Sequence, residues 1–190
     1  MNWISVHVFH NYSFDKILLE HLLPLTNHLK ENGYISSMFF IRYWEAGPHI
    51  RYRILLTDDT KVDFLKNLII EKSKKYFISL EKHDLEYSFQ FVNYIQELKR
   101  YGGEKVIKIA EKHFHDSSKS VLSILNDNSL DWNYSKAISF AIQMHVVFSK
   151  VLILNIEKAI VFFESLYKNW LFYSLKLNKD GKTTPEEIQK

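Results

Sequence analysis

Arginine occupies alternate positions, Arg51 and Arg53, in the run HIRYR. On an extended strand alternate side chains share a face, so both guanidiniums would project together while Ile50, Tyr52, Ile54 and Leu56 project the other way. Each planar fork can donate two parallel, charge-assisted hydrogen bonds to a carboxylate. The pair therefore suits an anionic group, or negative charge that develops during a reaction. The same spacing also fits a solvated strand face with surface ion pairs, which contribute little. A second run, ELKRYGG, places Glu97 three residues before Arg100, on one side of a helical turn, where it could orient that arginine. Tyr101 follows, and then Gly102 and Gly103 permit backbone angles that other residues avoid. The segment reads either as a turn presenting Arg100 into a cleft or as a structural glycine turn with an exposed ion pair.

His145 shares a helical face with Ala137, Ile138, Ala141, Met144, Phe148 and Leu152, in a segment apolar almost all round. Such a helix is expected to be central and buried. A histidine there is either a satisfied core residue or a neutral imidazole able to act as base or acid. His113, His115 and Asp116 do not make a metal site, because alternate residues on a helix diverge and no further ligands complete the set.

The elements that must position these residues follow from periodicity. Residues 3–9 read as a strand, and Ser13 as the N-cap of a helix carrying Phe14, Ile17, Leu18, His21, Leu22, Leu25 and Leu29 at helical spacing. Gly33 is placed to end that helix, and Pro24 should kink it or loosen one turn. Residues 37–44 and 49–56 form a hairpin around Glu45, Ala46, Gly47 and Pro48. Thr60 followed by Asp63 starts a helix through Phe64, Leu65, Leu68 and Ile69, and residues 85–92 give a fourth strand. The aromatic residues Phe39, Phe40, Tyr43, Trp44, Tyr87, Phe89 and Phe91 are interleaved at strand spacing, as core residues would be. The order β-α-β-β-α-β implies an α+β fold with a ferredoxin-like antiparallel sheet. Helical stretches near 104–125, 132–155 and 157–176 imply a C-terminal helical layer or bundle. We thus expect one domain over residues 1–178, with a sheet part (1–94) and a helical part (95–178), and a polar mobile tail at 179–190.

Composition excludes several function classes. With 46% hydrophobic and 15% aromatic residues, the 190-residue chain can bury a sizeable core. It has no cysteine, which removes disulfides and thiolate chemistry and fits a cytoplasmic location. Twenty-five basic against 22 acidic residues give a charge of +3, far from the dense basic stripe of a nucleic-acid binder. Neither a signal peptide nor a membrane-spanning run is visible, so a soluble protein is expected.

The blocks MFFIRYWEAGPHIRYRI, YIQELKRYGGEKVIKIAEKHFHDSS and QMHVVFSKVL occur in an order that resembles the C-terminal domain of class I lanthipeptide dehydratases and thiopeptide-type bacteriocin biosynthesis proteins. The resemblance spans nearly the whole chain, including the WISVHVFH opening. It implies a lyase that eliminates glutamate from glutamylated Ser or Thr of a ribosomally made precursor peptide, leaving dehydroalanine or dehydrobutyrine. It implies that Arg51 and Arg53 bind the glutamyl group or the developing enolate, that Arg100 held by Glu97 works beside them, and that His145 transfers the proton. Arg42 and Tyr101 are further substrate-binding candidates. Neither a metal nor another cofactor is implied. Expected partners are the glutamylated peptide and a separate glutamyl-tRNA-dependent glutamylation protein, since the large glutamyl-transfer domain is not in this sequence. A cyclase and a second copy of the chain are the other partners considered. Alternatives within the resemblance are a pyridine synthase-like cycloaddition enzyme and a non-catalytic peptide-binding module. Two positions depart from the family pattern: Ser149 and Lys150 replace the usual Asn-Arg pair, and Gln96 stands where proline is expected.

Overall fold

The structure is a computed structural model and describes residues 3–81, 84–152 and 155–179. It comprises two compact units, one ending at Asp131 and the other beginning at Trp132.

The first unit begins with β1 (Trp3–His10), which the β-branched and aromatic run favours. Ser13 then caps α1 (Phe14–Ile17) by accepting the Lys16 amide. A π turn (Leu18–Leu22) leads into α2 (Leu23–Glu31). This is the loosened turn expected from Pro24, which stands inside a helical run continuous from Phe14 to Glu31 and cannot supply an amide donor to it. The hairpin strands are β2 (Ile35–Tyr43) and β3 (His49–Leu56). Next comes α3 (Val62–Ser79), entered through a 3-10 turn. Its cap differs from the expected Thr60, because the carboxylate of Asp58 accepts both the amide and the hydroxyl of Thr60. β4 (Tyr87–Val92) and the long α4 (Glu104–Asp127) complete the unit.

The fold class is α+β. Among the described residues four strands make one sheet in the order β2-β3-β1-β4, antiparallel throughout. The register pairs Ile4 with Ile54, Val6 with Tyr52 and Val8 with Ile50, and all six side chains are buried. The helices after β1 and β3 cover this face. Thr26 of α2 hydrogen-bonds the Tyr52 hydroxyl at 2.8 Å, and the Phe77 ring of α3 stacks on Tyr87 of β4. One sheet face is therefore apolar core, which leaves the odd-numbered residues of β1 and β3, and those of β2 from Ser37 on, on the other.

Helix α4 packs on the outer edge of β2, so it joins the sheet unit although the strand pattern ends near residue 94. An open edge presents unpaired backbone groups. Here His115 meets the Met38 amide and carbonyl, and Ser118 accepts the Phe40 amide at 3.1 Å. His115 is thus a closure for the sheet edge. Trp44, expected among the core aromatics, is exposed because it lies beyond the end of β2 in the hairpin loop.

The second unit contains α5 (Tyr134–Leu152) and α6 (Ile156–Lys179). The central, buried helix expected around His145 is not found. Ile138, Ile142, Met144, Val146, Val147, Phe148, Val151 and Leu152 are all exposed. The reason is architectural: among the described residues this unit has two helices, and one neighbour cannot surround a helix that is apolar on every side. The helix expected to end near 176 continues to Lys179, and residues 180–190 of the expected tail lie outside the described residues. Among the described residues no helix is long and apolar enough to cross a membrane.

Candidate active site

Arg51 and Arg53 do share the sheet face opposite the core, as their spacing requires. In the register, Arg51 lies across from His7 on β1 and Ile41 on β2, and Arg53 lies across from Ser5 and Phe39. The guanidinium carbon of Arg53 is 4.5 Å from the Tyr94 ring centre and 5.3 Å from that of Phe39. Trp3 touches both rings edge-on. Arg53 is half-buried, and burial pushes its guanidinium below the usual range, though Tyr94 and Glu97 pull the other way. An arginine remains a cation regardless. Among the described residues its Nε is buried with no hydrogen-bond partner, and so are Ser5 Oγ and Trp3 Nε1 on the same face. A buried orphan donor costs about 1–3 kcal/mol.

Arg51 is positioned differently. Its guanidinium stacks over Tyr43 at 3.5 Å, and its Nε donates to His49 Nε2 at 3.2 Å. The other ring nitrogen of His49, Nδ1, contacts the Gly47 carbonyl at 2.8 Å and must therefore be the protonated one. His49 is buried, and it fixes the direction of Arg51. Exposed Glu45 lies 3.5 Å from the tip of Arg51, as an ion pair at the rim.

The ELKRYGG segment approaches this face from the stretch after β4. Gly102 and Gly103 adopt φ of 81° and 95°, conformations disfavoured for side-chain-bearing residues, and Gly103 directly precedes α4. Arg100 donates to Glu97 at 3.0 Å and is exposed. The hydrogen bond to Glu97 raises the Arg100 guanidinium above its ordinary value, with Tyr101, Glu97 and Tyr43 adding to the effect. Tyr43 lies under Arg51, while Glu97 and Tyr101 act on Arg53. The structure therefore brings Arg51, Arg53, Glu97, Arg100 and Tyr101 into one electrostatic neighbourhood.

Arg42 lies elsewhere. Arg42 pairs with Ile50 in the register, which turns it to the helix-covered face, where Asp15 of α1 holds it in an ion pair beside Phe14. His145 belongs to the second unit. Its Nδ1 contacts the Ala141 carbonyl at 2.7 Å, which makes Nδ1 the donor there. The Phe163 ring of α6 is 6.5 Å away.

Sequence reasoning missed Tyr94 as the ring under Arg53, His49 as the orienter of Arg51, and Glu111. Glu111 is on α4 and only 6% exposed, and it accepts the Gln96 amide at 2.6 Å. Near Arg53 is a cavity of about 590 Å³, lined by Trp3, Tyr94, Gln96, Leu98, Ile107 and Lys108 among others. For Tyr43 and Phe39 a signal was available, because they alternate with Ile41 on the strand that must pair with HIRYR.

Residues 3–189 match the family described as the lantibiotic biosynthesis dehydratase C-term. The chain belongs to that family. Among curated relatives, it is 30% identical to the epidermin biosynthesis protein EpiB of Staphylococcus epidermidis over 140 residues, 73% of this chain and 14% of EpiB. It is 29% identical over 155 residues to the nisin biosynthesis protein NisB of Lactococcus lactis subsp. lactis, 80% of this chain and 14% of NisB. The chain thus matches about one seventh of the length of each relative. Among solved structures it resembles the tRNA-dependent lantibiotic dehydratase MibB from Microbispora sp. 107891, with a TM-score of 0.57 and 21% identity, over 70% of this chain and 12% of MibB. TsrL is similar with a TM-score of 0.55 and 17% identity, over 74% of this chain and 38% of TsrL. At those identities the two structures establish the fold.

Proposed function

We propose that this member of the family catalyses glutamate elimination, a lyase step that converts glutamylated Ser or Thr of a precursor peptide into dehydroalanine or dehydrobutyrine. The observation that supports it most directly is the state of Arg53: half-buried, resting on Tyr94 and Phe39, and free of any ion pair or hydrogen bond among the described residues. A solvated strand face would show paired, exposed arginines. A preorganised cation in a partly dry setting is what a developing oxyanion requires.

In the elimination a base removes the Cα proton, the electron pair forms the Cα=Cβ bond, and the Cβ–O bond breaks to release glutamate through its α-carboxylate with the electron pair. No net oxidation or reduction occurs. Arg51 and Arg53 would stabilise negative charge on the adjacent carbonyl oxygen or hold the glutamyl group. Arg100, with Glu97 as its resting partner and Tyr101 beside it, would take the departing carboxylate. His145, of the second unit, is the proton acceptor in this reading. The glutamyl ester arrives ready-made from a glutamyl-tRNA-dependent transfer activity. The ferredoxin-like reading of the sheet is supported by β1 lying between β3 and β4 with β2 at the far edge.

The test is incubation with a glutamylated precursor peptide followed by mass spectrometry. Loss of one glutamic acid per modified residue supports the reading, and an ester that persists at its uncatalysed rate overturns it.

A further inference from the structure

The strand face that carries Arg51 and Arg53 also carries His7, to which the proposed elimination gives no task. His7 lies directly across from Arg51 in the β1–β3 register. The His10 amide donates to the Pro48 carbonyl at 3.2 Å and continues that ladder. Hydrogen-bonded pairs recur at every second residue of an antiparallel ladder, so His7 and Arg51 form a non-hydrogen-bonded pair, where facing side chains stand closest. The imidazole is fixed by its neighbours: it stacks on His49 at 4.9 Å with the planes 27° apart, and Phe9 flanks it at 6.2 Å. His49 also accepts Arg51 Nε at 3.2 Å, so one ring sets the position of both His7 and the guanidinium.

His7 differs from its neighbours in having both ring nitrogens unengaged. His49 uses its own on Gly47 and Arg51. His10, on the helix-covered face, has Nε2 sealed in the core. The His7 ring is half-buried and makes no hydrogen bond among the described residues, and neither nitrogen is shut off from solvent. Burial, followed by the nearby Arg51, His49 and Arg53, lowers this imidazole to about 4. Near neutral pH it is therefore uncharged, with one N–H to donate and little affinity for a further proton. An uncharged imidazole can polarise a carbonyl through that N–H, and the bond strengthens as negative charge builds on the oxygen.

We infer that His7 is a further catalytic residue of this face, its ring N–H donating to the carbonyl oxygen that Arg51 serves from the neighbouring strand. This role rests on the proposed elimination and adds a donor to it. No proton leaves His7: the ring holds the oxygen while the Cα proton departs to its acceptor and the Cβ–O bond breaks. His7 and Arg51 stand on the two inner strands of the sheet, which keeps the donor in place before charge develops.

The experiment uses the full chain with His7→Phe, His7→Gln and His7→Asn on a glutamylated peptide. His7→Phe keeps an aromatic ring against His49 and removes the donor. It should lower kcat by about 10- to 100-fold, less than the loss of a sole oxyanion donor because two arginines share the charge. KM should move less than about twofold, since the bond matters chiefly in the transition state. Glutamine places an amide N–H near the position of ring Nε2 and asparagine near that of Nδ1, so at least one should restore kcat to within about fivefold and name the donating nitrogen. Wild-type kcat in His7→Phe, Gln and Asn variants both as slow as His7→Phe, or a loss confined to KM would each overturn the inference. A ring needed only for stacking survives as Phe and fails as Gln.

A second readout requires no turnover: nitrogen-15 spectra of the histidine rings during addition of a peptide that carries glutamate through an amide in place of the ester. The His7 ring nitrogens should shift while those of His10 hold, and an unmoved His7 signal overturns the inference. If the wild-type chain fails to release glutamate from the ester, the proposed function falls and the catalytic role with it, while this titration alone decides whether His7 meets the peptide.

Discussion

On β3, Arg53 is half-buried over two rings with no carboxylate against it, whereas in the turn before α4 Arg100 has 71% of its side chain exposed and holds Glu97 at 3.0 Å. The strand can hold a cation without an ion pair because its register brings aromatic residues to both sides. The turn leaves its arginine exposed, with the neighbouring Tyr101 ring 5.7 Å from the guanidinium and two glycines that offer no side chain to cover it. A standing cation polarises whatever enters from the first moment of contact. An exposed one must exchange partners, so it contributes only the difference between the substrate and Glu97. The two arginines that the sequence presents as equals should therefore differ in catalytic weight.

The largest effect should come from Arg53→Ala, which removes a preorganised donor and should lower kcat/KM for glutamate elimination by about 100- to 1000-fold. Arg53→Lys should restore little, because an ammonium cannot reproduce the planar fork lying over Tyr94. Steady-state kinetics on a glutamylated peptide measures both, and a loss below tenfold for Arg53→Ala would remove the distinction between strand and turn. Arg100→Ala should cost less, about tenfold, and should flatten the salt dependence of kcat/KM, since an exposed cation is the one that added salt screens. If Arg100→Ala matches Arg53→Ala, burial is the wrong ranking criterion.

The difference was only partly legible in the sequence. Alternation in HIRYR placed both arginines on one face, because period 2 is a property of the strand backbone and needs no tertiary information. It could not tell a solvated face from a lined one, since that depends on Tyr94, which comes after β4 and reaches Arg53 only through the β1–β4 pairing. Arg42 shows the same boundary: a shift of one residue in the β2–β3 register would carry it to the other face, and only the structure fixes Arg42 opposite Ile50. The helical hydrophobicity of α5 was legible, but the expected burial was not, because burial depends on how many neighbours a unit supplies. A kinked or loosened turn was expected at Pro24 because proline's missing amide acts locally, and it takes the form of a π turn.

Glu97→Gln sharpens the turn side of the comparison. The pair is exposed and three residues apart, so its loss should change kcat/KM by only about two- to threefold, in keeping with the small worth of such pairs. A tenfold or larger loss, with normal peptide binding, would mean that Glu97 touches the reacting group rather than merely orienting Arg100.

The smallest effect is a direct measure of the field on the strand face. His7 lies opposite Arg51 in the register and stacks on His49 at 4.9 Å. Burial first, then Arg51, His49 and Arg53, lowers its imidazole to about 4. Removing a neighbouring cation favours the protonated ring, so Arg51→Gln should raise the His7 midpoint by up to about one unit, short of the ordinary value because burial persists. Arg100→Gln should leave it in place, and an NMR titration of the histidine ring protons checks both; equal shifts would mean that strand and turn act as one field. The sign for stability follows. In the unfolded chain His7 binds its proton near the ordinary 6.5, but in the fold only near 4, so between those values the unfolded state holds more protons and stability falls as pH is lowered. His21, buried against Ser73 and held to about 4 by burial alone, acts in the same direction. Urea midpoints should therefore drop from pH 6.5 to 4 in the wild type, and Arg51→Gln should shallow that drop by the His7 share while Arg100→Gln leaves it unchanged.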